Sequence, residues 1–129
     1  MCVYLLSLTS IMFAEYLKTL NNVSPLSEES RSQLLPHISL KKIAQSDFLL
    51  KNGDTCRHIY YVNRGFIRIF YYKNGKEITE WFGKEKTFFF SITSYFENIP
   101  SKLVIEAVED SEIILLSKEG TEKLRRSNI

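Results

Sequence analysis

The sequence predicts a mainly β protein with flanking α-helices, folded as an antiparallel β-jelly roll. Three observations carry this. Apolar spacing is helical before Pro36 and alternating after it. Turn signals punctuate the alternating part at close intervals. About eight short strand-like runs result, which suits a closed or double-sheet antiparallel barrel.

Phe13, Tyr16, Leu17 and Leu20 fall at helical spacing. They predict an amphipathic helix from about Ile11 to Asn21 that lies on the domain. Residues 1–10 form an N-terminal extension to a single domain of residues 11–129. "MCVYLLSLTSIMF" lacks the basic start of a signal peptide and is too short to span a membrane. Met12 is an alternative start, and a degenerate signal sequence is the other reading of this segment. "VSPLSEESRSQLLP" predicts a second helix, with Ser27 as N-cap, Glu28 and Glu29 in the first turn and Pro36 as its stop.

Strands are expected at Ile38–Ile43, Phe48–Leu50, His58–Asn63, Phe66–Tyr72, Glu77–Phe82, Thr87–Phe89, Leu103–Val108 and Glu112–Ser117. Asn74-Gly75 in "YYKNGKE" marks a tight hairpin. "KNGD" at Lys51–Asp54 and "NRG" at Asn63–Gly65 mark further turns. In "GFIRIFYY", Phe66, Arg68 and Phe70 share one face, and Ile67, Ile69 and Tyr71 the other. "EIILL" is apolar on both faces and belongs in the middle of a sheet. The tail "KEGTEKLRR" predicts a helix that Gly120 weakens.

Bulk properties narrow the function. The chain has 129 residues, 44% hydrophobic and 25% charged, enough for one domain with its own core. Seventeen basic and fifteen acidic residues leave a net charge of +2. That balance makes no electrostatic case for nucleic acid or an anionic membrane. Cys2 and Cys56 make neither a metal-ligand spacing nor a disulfide framework, and fit a reducing, cytoplasmic setting. His37 and His58 are the only histidines, too few and too far apart for a cupin-type metal centre. No nucleophile elbow, P-loop or zincin motif is present. No metal and no cofactor is expected.

Two helices, then "FLLKNGDTCRHIYYVNRGFIRIFYYKNGKE", then "FFFSITSYFENIPSKLVIEAVEDSEIILLSKEGTEKL" resemble the cyclic nucleotide-binding domain of the Crp/Fnr family of bacterial transcription regulators. The landmarks are Gly53-Asp54, "IYYVNRGFIRI" around Gly65, and "AVEDSEIILLS". The similarity runs from about Phe13 to Leu124. It implies a jelly roll (a double-stranded β-helix) with a phosphate-binding cassette between two late strands, the place of "KTFFFSITSYFENIPSKLVIEA". A cassette that binds cyclic AMP typically reads Phe-Gly-Glu-Leu-Ala-Leu and then Pro-Arg-Ala-Ala. The glutamate takes the ribose hydroxyl and the arginine pairs with the cyclic phosphate. Here Phe90 stands for the glycine, Ser91 for the glutamate and Ser101 for the arginine, while Pro100 is kept. The pattern is closer to divergent Crp-like regulators of Bacteroidetes, through Ser91, Ser94-Tyr95 and Pro100-Ser101. The expectation is a non-catalytic effector-sensing domain that does not bind cyclic AMP in the usual way.

Candidate ligand-binding residues are Ser91, Thr93, Ser94, Ser101 and Lys102, with Arg68 as a second anion-binding candidate. "SITSYF" is expected to form a short helix, and the hydroxyls with Lys102 suit a small anionic or nucleotide-like effector. The opposing reading is that these serines cap their own backbone, that Lys102 is solvated, and that Phe88, Phe89, Phe90 and Phe96 fill the barrel. Arg68 alternatively pairs with Glu77 or Glu80 across the sheet. Trp81 and Phe82 either stack a purine or, more simply, pack in the core. A homodimer is a further partner expectation, as is a ligand-free dimerisation or protein-interaction module on the same fold. Full-length Crp/Fnr regulators continue into a winged helix-turn-helix, whereas this sequence ends at Ile129 without a recognition helix. It is either a sensory part of a longer regulator or a stand-alone protein, and no DNA binding is expected of this chain alone.

Overall fold

The computed structural model describes residues 13–23 and 27–127. The expected extension at 1–10, Cys2, and the expected helix start at Ile11 lie outside them. Helices are α1 (Ala14–Val23), α2 (Glu28–Leu34), α3 (Ile92–Glu97) and α4 (Lys118–Ser127). Eight strands lie between them: β1 (Ile38–Ile43), β2 (Phe48–Leu50), β3 (His58–Arg64), β4 (Ile67–Lys73), β5 (Lys76–Gly83), β6 (Phe88–Phe89), β7 (Val104–Ala107) and β8 (Ser111–Ser117). They form two four-stranded sheets, β1-β8-β3-β6 and β2-β7-β4-β5. Every strand pair is antiparallel. This is the mostly antiparallel, helix-flanked roll that the alternating pattern implies.

Local chemistry explains the element ends. The Ser27 hydroxyl accepts from the Ser30 N–H and caps α2. Pro36 does not cut the chain straight into a strand. Lacking an N–H, it sits inside a 3-10 turn at Leu35–His37 that carries the chain into β1. Asn74 and Gly75 both have positive φ, 53° and 76°, and close the β4–β5 hairpin.

The first sheet is covered on both faces. Facing the second sheet, Ile43, Tyr60, Val62, Phe89 and Ile113 pack with Leu50, Ile67, Ile69, Ile105 and Ala107. On the other face, Ile38, Tyr61, Ile114 and Leu116 pack under Phe13, Tyr16, Leu17, Leu20 and Leu34. Strand β8 lies between β1 and β3. Its Ile113 and Ile114 are both fully buried, one in each core. Each such side chain contributes roughly 1.5–3 kcal/mol.

Four side chains depart from the sequence expectation: Phe88 packs against Tyr16 and Tyr61 on the helix-covered face rather than inside the barrel, and three others are exposed. Trp81 and Phe82 do not pack in the core; they are 39% and 51% exposed. Both belong to β5, an edge strand whose bonded neighbour is β4. Phe82 stacks on Phe66 at 5.5 Å on the outer surface. Phe96 does not fill the barrel either, because α3 turns it outward and leaves it 68% exposed.

Three glycines have neighbours within 3.0 Å of where a Cβ would stand: Gly65, Gly83, which meets the Ile67 side chain, and Gly120. Gly65 has φ +107°, and a Cβ there would lie 2.8 Å from the Ser111 backbone Cα. Gly120 does more than weaken a helix: a Cβ there would lie 2.5 Å from His37 Cβ, so its bareness lets α4 close on the 3-10 turn. Gly53 has a similar φ of +96° but open space around it. Gly65→Ala is therefore expected to cost roughly 2–4 kcal/mol and Gly53→Ala about 1 kcal/mol. Urea denaturation with unchanged m-values checks this, and equal losses at the two sites would contradict the packing argument.

Candidate functional site

A cavity of about 900 Å3 opens beside α3. Its walls come from β4 and β5 (Ile69, Glu80, Trp81), from β6 and the start of α3 (Phe88 to Ser94), and from the loop returning to β7 (Ile99 to Leu103). Ser91, Thr93, Ser94, Ser101 and Lys102 are thus brought together around one space. Arg68 is not among the residues lining it.

The loop is shaped by its own hydroxyls. Asn98, with φ 58°, ends α3 in the left-handed conformation that asparagine tolerates. The chain then returns so that Ser101 Oγ lies 2.8 Å from Ser91 Oγ. Ser101 Oγ also donates to the Leu103 carbonyl at 2.9 Å and accepts from the Leu103 N–H at 3.0 Å. With its one proton on that carbonyl, the proton between the two serines belongs to Ser91. Ser94 Oγ accepts from the buried Cys56 N–H at 2.8 Å and donates to the Ile99 carbonyl. Backbone bonds finish the frame: the Gly53 N–H donates to the Ser101 carbonyl at 2.8 Å, and the Ser101 N–H to the Asp54 carbonyl at 2.7 Å. Ser91, Ser94 and Ser101 are buried, whereas Thr93 and Lys102 are exposed. No buried side-chain polar atom is left without a partner among the described residues.

Ser91 occupies the N-cap position of α3, yet its hydroxyl makes no capping bond and is turned to Ser101. Phe90 packs edge-on against Tyr95 at 5.2 Å and Phe96 at 6.0 Å, forming part of the wall. Tyr95 connects the loop to α4. The Lys118 ammonium donates to the Tyr95 carbonyl at 2.6 Å and lies 5.1 Å from the ring centroid. Burial pushes the Tyr95 phenol above its ordinary value, against a hydrogen bond with Thr121 that lowers it. The sequence flagged Ser94-Tyr95 without identifying Lys118 as its partner, since 23 residues separate the two and nothing local marks them.

Arg68 lies on the outer face of the second sheet. It donates to Glu77 at 3.0 Å and Glu106 at 2.8 Å, and its guanidinium covers the Phe70 ring at 4.1 Å. Burial opposes its charge, but the hydrogen bonds to Glu106 and Glu77 hold its pKa above the ordinary value. Glu77 was expected from the hairpin; Glu106 arrives from β7, which pairs with β4 on the other side. Glu80 is left at the cavity instead. Burial and nearby Lys41 lower the pKa of His58. Among the described residues no cluster of three His, Cys, Asp or Glu is placed to hold a metal ion, and no helix is long and apolar enough to cross a membrane.

The architecture is a roll of two antiparallel sheets, with a helical loop beside a cavity before the seventh strand. The profile of the cyclic nucleotide-binding domain matches residues 40–128. The chain belongs to that family, whose domains are typically regulatory rather than catalytic. Curated relatives include the cAMP-dependent protein kinase regulatory subunit of Debaryomyces hansenii, 24% identical over 114 residues and 88% of this chain. The Candida albicans counterpart is 22% identical over 116 residues, again 88% of this chain. This chain spans 24% of the length of each. Among solved structures, the sensor domain of the transcriptional regulator DNR from Pseudomonas aeruginosa superposes with a TM-score of 0.81 at 17% identity, covering 94% of this chain and 81% of that one. Thermus thermophilus catabolite activator protein gives 0.67 at 24% identity, covering 79% and 48%. The regulatory domain of Toxoplasma gondii PKA, solved with cAMP, gives 0.68 at 18%, covering 80% and 40%. At these identities the structural likeness is one of fold.

Ser94→Ala should leave the Cys56 N–H and Ile99 carbonyl without their hydroxyl partner and cost roughly 1–3 kcal/mol. Lys102→Ala should leave the melting temperature of the unliganded protein nearly unchanged. Differential scanning calorimetry of both variants checks the division between residues that build the loop and residues free to meet a ligand.

Proposed function

We propose that this is the effector-sensing domain of a Crp/Fnr-type regulator of the divergent Bacteroidetes kind, a single cytoplasmic, non-catalytic unit over residues 11–129. The observation that carries the reading is the open cavity at the cassette. Had Phe90 and its neighbours filled that space, the ligand-free interaction module would be the better reading. Instead Phe90 packs edge-on against Tyr95 and Phe96, and about 900 Å3 remains open.

The effector sits against Ser91, Thr93 and Lys102, while Ser94 and Ser101 hold the loop in shape. Arg68 stays with Glu77 and Glu106 and takes no part. In this reading the cassette lacks both polar anchors of a cyclic AMP site, since Ser101 and Ser91 stand at the arginine and glutamate positions. The Ser91 hydroxyl is moreover committed to Ser101. Each missing charge-assisted bond is worth roughly 1.5–3 kcal/mol. Occupation of the cavity is transmitted through Tyr95 and Lys118 to α4, and this chain alone does not bind DNA.

Isothermal titration with cyclic AMP should show no micromolar binding to the isolated domain, and Ser101→Arg alone should not create it. Micromolar affinity in the unaltered protein would mean that other groups replace the missing anchors. The sensing role itself is tested by a thermal-shift screen of small metabolites. At least one compound should raise the melting temperature, and the rise should shrink in Lys102→Ala. A screen in which no compound shifts the protein would favour the interaction module.

A further inference from the structure

The walls of the cavity specify a ligand class, on the basis of the effector-sensing reading above. We infer that it takes a planar, largely apolar ring compound carrying a single carboxylate, rather than a phosphate ester.

The apolar half of the argument is exposure. Trp81, Ile92 and Ile99 line the cavity and are 39%, 59% and 42% exposed. An indole on an edge strand has one side with no strand to cover it. Here Trp81 lies across from Ile69 in the β4–β5 ladder, so it faces the cavity with that inward residue. Phe89 supports it, with ring centroids 6.4 Å apart. A flat ring laid on this wall removes the indole and both isoleucines from water together. That gain scales with apolar area and is available only to an apolar ligand.

The polar half is charge. The charged side chains on the walls are one cation, Lys102, and one anion, Glu80. Neither makes a salt bridge among the described residues. A phosphate monoester brings close to two negative charges to a lining that is formally neutral. A cyclic phosphate brings one, but with it a ribose hydroxyl and ester oxygens that need more polar partners than one ammonium provides. The buried hydroxyls are already engaged: Ser94 and Ser101 have their protons on the backbone carbonyls of Ile99 and Leu103, and Ser91 has its proton on Ser101. One carboxylate on the exposed Lys102 ammonium, with the exposed Glu80 left to water, is the charge the site can match. The volume, about 900 Å3, is ample for a ring with a short acid side chain.

The chain has a single tryptophan, so Trp81 is its own reporter. The unaltered protein, excited selectively at the indole, is titrated in parallel with 3-phenylpropionate, its neutral amide 3-phenylpropionamide, cyclic AMP and inorganic phosphate. The expected result is a saturable change with the acid and a weaker one with the amide, the two differing by about three- to tenfold in Kd. In Lys102→Gln the acid should lose that advantage and the amide should bind as before. Calorimetric titration of the same pair provides a readout independent of fluorescence. The inference is overturned if cyclic AMP or phosphate binds more tightly than the acid. It is equally overturned if acid and amide bind alike in the unaltered protein, or if the acid produces no saturable signal by either method. The sensing role survives those outcomes whenever the metabolite screen yields another stabilising compound, and falls with the ligand class only when that screen is also empty.

Discussion

The structure depends on one sheet being covered on both sides. Strand β8 runs through the middle of β1-β8-β3-β6, and successive residues Ile113 and Ile114 enter different hydrophobic cores. One core joins the two sheets, and the other holds α1 and the end of α2 against the barrel. Among the described residues, no helix covers the outer face of the second sheet in this way. There Arg68 shields Phe70 with its guanidinium, and Glu77 and Glu106 hold that guanidinium in place. Exposed aromatic residues collect along β5 because an edge strand offers neither a second neighbour nor a covering layer. The cavity forms at this less protected side, between β5 and the loop around α3.

That loop is organised by short polar contacts rather than by bulk. Ser91, Ser94 and Ser101 are all buried, and each spends its proton inside the loop or on the frame. Such a network holds the cassette in shape before any ligand arrives. Preorganisation of this kind lowers the ordering cost of binding. It also restricts what the hydroxyls can offer, because a ligand needing the Ser91 proton must first take it from Ser101, at a cost of about 1 kcal/mol. Lys102 and Thr93 escape the network by pointing their polar groups from exposed positions. The division between structural and available groups therefore falls inside one short motif, among residues of nearly identical chemistry.

Much of the fold is legible in the sequence because its signals are local. The change of period at Pro36 places the first strand, Asn74-Gly75 fixes a hairpin, and the two-faced "EIILL" places β8 in the interior. Strand ends shift by a residue or so where turns intrude: β4 begins at Ile67 and not Phe66, and β7 covers Val104–Ala107 within the expected Leu103–Val108. What is not legible depends on distant partners. Hydrophobicity alone sends Trp81, Phe82 and Phe96 to the core; the edge position of β5 leaves Trp81 open to the cavity and Phe82 on the outer surface, and the rotation of α3 turns Phe96 out. Propensity marks Gly120 as a weak point, whereas its neighbour His37, 83 positions earlier, makes it a point of contact. The grouping of candidate residues at one loop follows from their nearness in sequence. Their separation into donors already used and groups still free needs coordinates, because a serine's partner is not written in its name.

The same network decides how a cavity event could reach the rest of the chain. Phe90 and Ser94 line the cavity, Phe90 touches the Tyr95 ring, and Ser94 and Tyr95 share α3. Tyr95 in turn holds Lys118, the first residue of α4, through its carbonyl. A shift of α3 by even an ångström has either to carry Lys118 with it or to break a charge-assisted bond worth roughly 1.5–3 kcal/mol. Carrying it is opposed by the Gly120 contact with His37, which leaves α4 little room on that side. The start of α4 is thus held between the cassette loop and a close-packed turn. A ligand acts on that balance only as far as its affinity differs between the two positions of α3. Under the sensing role proposed above, a compound that merely fills the cavity, touching Trp81 and Lys102 equally well in both, would bind without signalling. One that presses on Phe90 would move the helix, which would put affinity and response on different walls of the same cavity.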